Sequence, residues 1–147
     1  GLPKYCAWLD SQPMTEVYGE HRRWLKFLTW WRRRQGKPPV ARWCLKFPWH
    51  ARSLEALLAE YPDALIVHTH RAFKDVLGSY CSLVETQRKR FYERVDQKKL
   101  GNEQLKSQAL VLQRAQSFRE AHPGVESQWL DVDFVDIVSS PVQTAKR

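Results

Sequence analysis

No apolar run in the sequence approaches the roughly 20 residues that a bilayer span needs, so a transmembrane segment is not expected. Cysteine is scarce. Cys6, Cys44 and Cys81 are far apart, odd in number and in no Cys-x-x-Cys pair, which reads as scattered reduced thiols in a cytoplasmic protein. The opening stretch GLPKYCAWLD lacks the apolar region of a secretion signal; such a signal could belong to a segment upstream of it. Internal repeats and low-complexity tracts are absent too. Glycine is sparse, at six residues, while seven tryptophans and 43% hydrophobic residues argue for a globular chain over a disordered one.

What is abundant is positive charge. Twenty-four Lys and Arg against 16 Asp and Glu leave a net charge of +8, which calls for an anionic partner. Nucleic acid, a membrane surface and a phosphorylated or sulfated small molecule all satisfy it. The 147 residues fit one domain.

Hydrophobic spacing organises the chain. Met14 to Gln35 reads as a helix with a stripe of Val17, Tyr18, His21, Trp24, Leu25, Leu28 and Trp31, ended by Gly36 and Pro38-Pro39. ARWCLKFP reads as a short strand, Leu54 to Tyr61 as a short amphipathic helix, and ALIVHT as an apolar strand covered on both faces. A helix after Arg71 carries Phe73, Val76, Leu77, Tyr80, Leu83 and Val84 on one stripe. A charged stretch from Thr86 to about Leu100 precedes a helix capped by Asn102 and reaching about Ala121. SQWLDVDF reads as a third strand, and Ser140-Pro141 as a helix start. Alternating strands and helices predict an α/β fold with a parallel sheet flanked by helices in three layers.

In such sheets ligands bind at the carboxyl ends of strands, where the next helix begins with free N–H groups. Arg71 falls at that junction, and its planar fork of donors suits a phosphate. Ser79 lies about 120° from the apolar stripe of the following helix, free to offer its hydroxyl to the same anion. The alternative is an arginine paired with a nearby acid and a solvent-facing serine.

The order Arg71-x-x-x-Asp75-Val76-x-x-Ser79 resembles the 3′-phosphate-binding segment of sulfotransferases that use 3′-phosphoadenosine 5′-phosphosulfate (PAPS). The block RWCLKFPWHARSLEALLAEYPDALIVHTHR is similar to the bacterial form of that pattern, as are YGEHRRWLKFL before it and LDVDFVDIVSSP after it. The resemblance implies a P-loop-like sulfotransferase domain over residues 1–147, with an irregular lead-in at 1–17 and a variable helical segment at 87–125. It implies PAPS as donor, adenosine 3′,5′-bisphosphate as product, and a hydroxyl or amine acceptor on a small molecule or saccharide. Arg71 and Ser79 would bind the 3′-phosphate, Lys46 would stabilise charge on the leaving oxygen, and His50 would act as base. A snorkelling lysine and a helix-capping histidine are the plainer readings of Lys46 and His50. In the better-known cytosolic members the histidine lies closer to the lysine, at a register that falls here on Pro48. Ala72-Phe73 stands where Asp-Pro is usual, and neither the 5′-phosphosulfate loop nor the glycine-rich C-terminal loop is recognisable, which implies an incomplete domain, inactive by itself or weakly nucleotide-binding.

His68 and His70 point the same way along a strand, but no carboxylate or cysteine has matching ligand spacing, so no metal is expected or required. WWRRRQGK invites a nucleic-acid reading through the Arg22–Lys37 surface, which Trp24 and Trp31 on the buried stripe disfavour. The sequence thus points to a sulfotransferase, with a basic nucleic-acid module or a degenerate non-catalytic homologue as alternatives. A homo-oligomer is compatible with it.

Overall fold

A computed structural model describes residues 3–146. One compact unit runs to Ala64 and a second begins at Leu65. The first is helical: α1 (Pro3–Asp10), α2 (Thr15–Arg34), a 3-10 turn at Pro48–Arg52, and α3 (Leu54–Glu60). The second holds β1 (Ile66–His70), α4 (Phe73–Arg88), α5 (Gln97–Ala121), a 3-10 turn at Pro123–Gln128, β2 (Trp129–Asp133), α6 (Phe134–Ser139) and α7 (Pro141–Thr144).

In the first unit α2 lies against α3, with Tyr18, Leu54 and Ala56 buried between elements. Glu16 in the first turn of α2 and Arg32, Arg33 and Arg34 in its last turn suit the helix dipole. The helix ends as its sequence requires. Gly36 takes φ +68°, and the N–H groups of Gly36 and Lys37 return to the carbonyls of Arg33 and Arg32, a closure that needs a residue without Cβ at the left-handed position. Arg52 stacks over Trp49 at 3.8 Å and donates to Asp10 Oδ1 at 2.5 Å, tying the 3-10 turn to α1.

In the second unit β1 and β2 pair in parallel, with Ile66 opposite Trp129, His68 opposite Asp131 and His70 opposite Asp133. Parallel neighbours need a long crossover, and α4 and α5 supply it. The two helices pack together, Leu77, Tyr80, Cys81, Val84 and Arg88 of α4 are partly buried, and Arg88 Nη2 donates to Glu103 at 2.7 Å. Leu100, Ala115, Val125 and Val132 form the buried apolar positions of this unit.

Several expectations from the sequence are corrected. ARWCLKFP is no strand: Ala41 to Phe47 is irregular and Leu45 and Phe47 are exposed. Strand propensity there finds no ladder partner, since the unit that contains it has no strand among the described residues. Among the described residues the sheet therefore has two strands, not three, in a mixed helix and strand fold. ALIVHT is not covered on both faces, for Leu65 and Val67 are more than 60% exposed. The covered stripe of α2 is narrower than its apolar pattern, comprising Tyr18, His21, Leu25, Thr29 and Arg32, while Val17, Trp24, Leu28 and Trp31 face solvent. Phe73, Val76 and Leu83 of α4 are likewise exposed. The lead-in contains α1. Asn102 does not cap: α5 begins at Gln97, and the Asp96 carboxylate accepts from the Lys99 N–H at 2.9 Å. Pro141 does open α7, although the Ser140 side chain makes no capping bond. All three cysteines are free.

Candidate active site

His50 sits in the 3-10 turn that Pro48 initiates, a turn short enough to swing its ring back toward α2. There the Tyr18 hydroxyl lies 2.8 Å from His50 Nδ1, and the ring stands edge-on to Phe47 at 5.4 Å. One helical turn past Tyr18, His21 Nδ1 meets the Tyr61 hydroxyl at 2.7 Å, and the His21 and His50 rings are 6.4 Å apart. Four ring side chains thus form two hydrogen-bonded pairs side by side. Burial, and then the neighbouring His21, lowers the pKa of His50 below 6.5. Burial, and then Tyr61, pushes Tyr18 up to about 12. At neutral pH the pair is an uncharged imidazole against an intact phenol. Lys46 is exposed and lies in irregular chain, not at the end of a strand.

Arg71 occupies the two-residue link between β1 and α4, exposed, with its guanidinium 4.8 Å from the centre of the Phe134 ring. Among the described residues it has no acidic partner. Ala72 stands at the N-cap of α4 and has no side-chain oxygen to cap it, which leaves the first N–H groups open. Ser79, the seventh residue of α4, is exposed and off the partly buried stripe of that helix. Lys46 and His50 belong to the first unit, Arg71 and Ser79 to the second.

The second unit also holds a polar cluster that the sequence did not announce. Asp131 of β2 faces His68 and His70 of β1, with Oδ1 2.6 Å from His70 Nε2 and 3.8 Å from His68 Nδ1. Trp129 Nε1 donates to the same oxygen at 3.1 Å, and Arg119 Nη1 reaches Oδ2 at 3.0 Å. Arg119 also clasps Glu126 with two bonds of 2.7 and 2.8 Å. Burial raises the Asp131 pKa, but hydrogen bonds from His70, Trp129 and Arg119 outweigh it and hold the carboxyl below its ordinary range. Sequence spacing offers these histidines no carboxylate, and the one they meet comes from far along the chain: Asp131 is 61 residues from His70 and adjacent to it across the ladder.

Sequence reasoning also missed Tyr18 as the partner of His50. Tyr18 was legible only as a member of an apolar stripe, and the one further hint, a tyrosine and a histidine three residues apart, is common in buried helix faces.

The parallel pair of strands joined through helices, with an arginine at the end of β1, is a mixed helix and strand arrangement compatible with an α/β fold. A profile described as "Sulfotransferase family" matches residues 4–147. The chain belongs to the sulfotransferase family, a family of transferase enzymes for which PAPS is the usual donor. No curated protein and no solved structure matches it significantly. No helix among the described residues is long and apolar enough to cross a membrane.

Proposed function

We propose that this chain is a PAPS-dependent sulfotransferase domain of the three-layer, P-loop-like type, transferring a sulfuryl group to a hydroxyl or amine of a small-molecule or saccharide acceptor. The observation that carries the reading is Arg71. It stands at the carboxyl end of β1, unneutralised by any acid among the described residues, beside a helix start that no side chain caps. A guanidinium and open amides at one junction are what a terminal phosphate needs. Ser79, exposed farther along α4, adds a hydroxyl for the same 3′-phosphate.

In the first unit His50 is the base. With Nδ1–H donating to the Tyr18 oxygen, Nε2 keeps its lone pair and takes the acceptor's proton as the acceptor oxygen attacks sulfur. The bond from sulfur to the bridging oxygen breaks, adenosine 3′,5′-bisphosphate leaves, and the Lys46 ammonium stabilises the charge on that oxygen. The chemistry calls for no metal.

The test is turnover of radiolabelled PAPS against a panel of alcohols and amines. Labelled product should form in step with adenosine 3′,5′-bisphosphate, and fall roughly 100-fold in His50→Ala. Donor binding without transfer to any acceptor would leave only the degenerate homologue.

One observation favours a second reading. Trp24, Trp30 and Trp31 are all about half exposed or more, and Arg34 lies over the Trp30 ring at 5.5 Å. A shallow cleft beside them is lined by Arg22, Lys26, Arg33, Trp30 and Trp43. Aromatic faces among arginines suit single-stranded nucleic acid. That reading requires binding that falls steeply with salt and is lost on replacing Arg32, Arg33 and Arg34.

A further inference from the structure

We propose that His68, His70 and Asp131 form a binding site for a divalent transition-metal ion, separate from the sulfuryl-transfer residues. The three side chains come from paired strands, with their ligand atoms all within 4.8 Å of one another. Alternation along β1 puts both imidazoles on one face, their ring centres 4.3 Å apart. The parallel register puts Asp131 directly opposite His68. Two ladder-bonded strands fix ligand positions better than a loop does.

The donor set is chemically suited to the purpose. Neutral imidazole nitrogens and a carboxylate oxygen are borderline ligands that favour zinc and its neighbours over calcium or magnesium. His68 Nδ1 is shielded from solvent and has no hydrogen-bond partner, so a ligand atom lies buried with nothing to bind. A zinc ion with bonds of about 2.0–2.1 Å sets its ligands about 3.3 Å apart in tetrahedral geometry. The present separations from Asp131 Oδ1 are 3.8 Å to His68 Nδ1 and 2.6 Å to His70 Nε2, so each adjusts by less than an ångström. Binding through Nε2 requires His70 in its Nδ1–H tautomer, so the ion replaces the His70–Asp131 hydrogen bond with no net loss of a proton from the neutral imidazole.

Arg119 does not oppose this. Its Nη1 lies 3.0 Å from Oδ2 and also donates to Oδ1 at 3.2 Å, and its charge is met by the two-bond clasp with Glu126. With neutral imidazoles the group carries one net negative charge, from Asp131 and Glu126 against Arg119. An outer donor on the far carboxylate oxygen is the usual way a metal-bound carboxylate is oriented. Trp129 Nε1 at 3.1 Å and Arg119 Nη1 at 3.2 Å both donate to Oδ1, so the ion takes the place of the longer bond as Arg119 moves wholly onto Oδ2. Three protein ligands leave the fourth position to water or to a small anion.

The experiment is competition of the whole chain, free of any purification tag, against a chromophoric zinc chelator. One equivalent of zinc should bind, and His70→Ala and Asp131→Ala should each weaken it at least tenfold, while His122→Ala should not. Because a strand substitution can also impair folding, the unsubstituted chain gives a second readout. Zinc should protect His68 and His70, but not His122, from carbethoxylation mapped by peptide. Cobalt should give the intense visible bands of a four-coordinate ion. Absence of stoichiometric binding overturns the proposal and leaves a hydrogen-bonded network only. So does zinc that leaves His68 and His70 fully reactive, or an affinity unchanged in folded Asp131→Ala.

Discussion

The Tyr18 hydroxyl lies 2.8 Å from Nδ1 of His50, across 32 residues of sequence, and is the only polar contact seen to fix that imidazole among the described residues. Tyr18 itself is 6% exposed, so its ring is set by packing and its hydroxyl has little freedom to turn away. Tyr18→Phe keeps the packing and removes the bond. It is expected to cost about 1–2 kcal/mol of stability, because a half-buried nitrogen loses its partner. It should also lower kcat more than it raises KM, since it acts through His50 and not on the acceptor. Equilibrium urea unfolding and steady-state kinetics measure the two; unchanged values in both would remove Tyr18 from the account.

His50 gives the pH dependence. Burial and His21 hold its pKa below 6.5, so the folded chain binds fewer protons than the unfolded chain between that lowered value and 6.5. The stabilisation is complete above pH 6.5 and is lost as pH falls through the folded pKa. Wild type should therefore lose stability on acidification relative to His50→Gln, and kcat/KM should fall over the same window as the base becomes protonated. An imidazole NMR titration that places His50 at or above 6.5 would contradict this.

Two helix ends carry measurable stability. Asp96→Ala removes the carboxylate that accepts from the Lys99 N–H and should cost about 1 kcal/mol. Gly36→Ala forces a Cβ into the left-handed region at φ +68° and should cost roughly 1–2 kcal/mol. No atom lies within 4 Å of the added Cβ, so the penalty is conformational and not steric crowding by a neighbour. Thermal unfolding of each variant checks both values. A Gly36→Asn variant should recover part of the loss, because asparagine tolerates that conformation better.

These contrasts show what the sequence could and could not reveal. The ends of α2 were legible because Gly36 and the arginines before it act locally, within one turn. The junction from β1 through Arg71 to α4 was legible for the same reason, as was the order of blocks that resembles the family. Most of the failures involve partners distant in sequence. ARWCLKFP has strand-forming residues, but a strand exists only with a neighbour to ladder with, and nothing local shows that neighbour. Trp24 and Trp31 keep helical spacing, yet which side of α2 is covered depends on where its neighbours lie, and the covered row is Tyr18, His21, Leu25, Thr29 and Arg32. Asp131 was invisible as a partner for His68 and His70 because parallel register is a tertiary fact. Asp96 was passed over for Asn102 because both are good caps, and the start of a charged amphipathic helix is weakly marked.

The central claim, that Arg71 and Ser79 present a site for a nucleotide 3′-phosphate, is tested most directly by calorimetric titration with adenosine 3′,5′-bisphosphate. The account predicts saturable binding that weakens roughly 10–100-fold in Arg71→Ala, the worth of a charge-assisted hydrogen-bond pair. Ser79→Ala should weaken it several-fold, and adenosine 5′-monophosphate, which lacks the 3′-phosphate, should show no difference between wild type and Arg71→Ala. Binding of the bisphosphate that is equally strong in folded Arg71→Ala, or no binding by the folded wild-type chain, would contradict it.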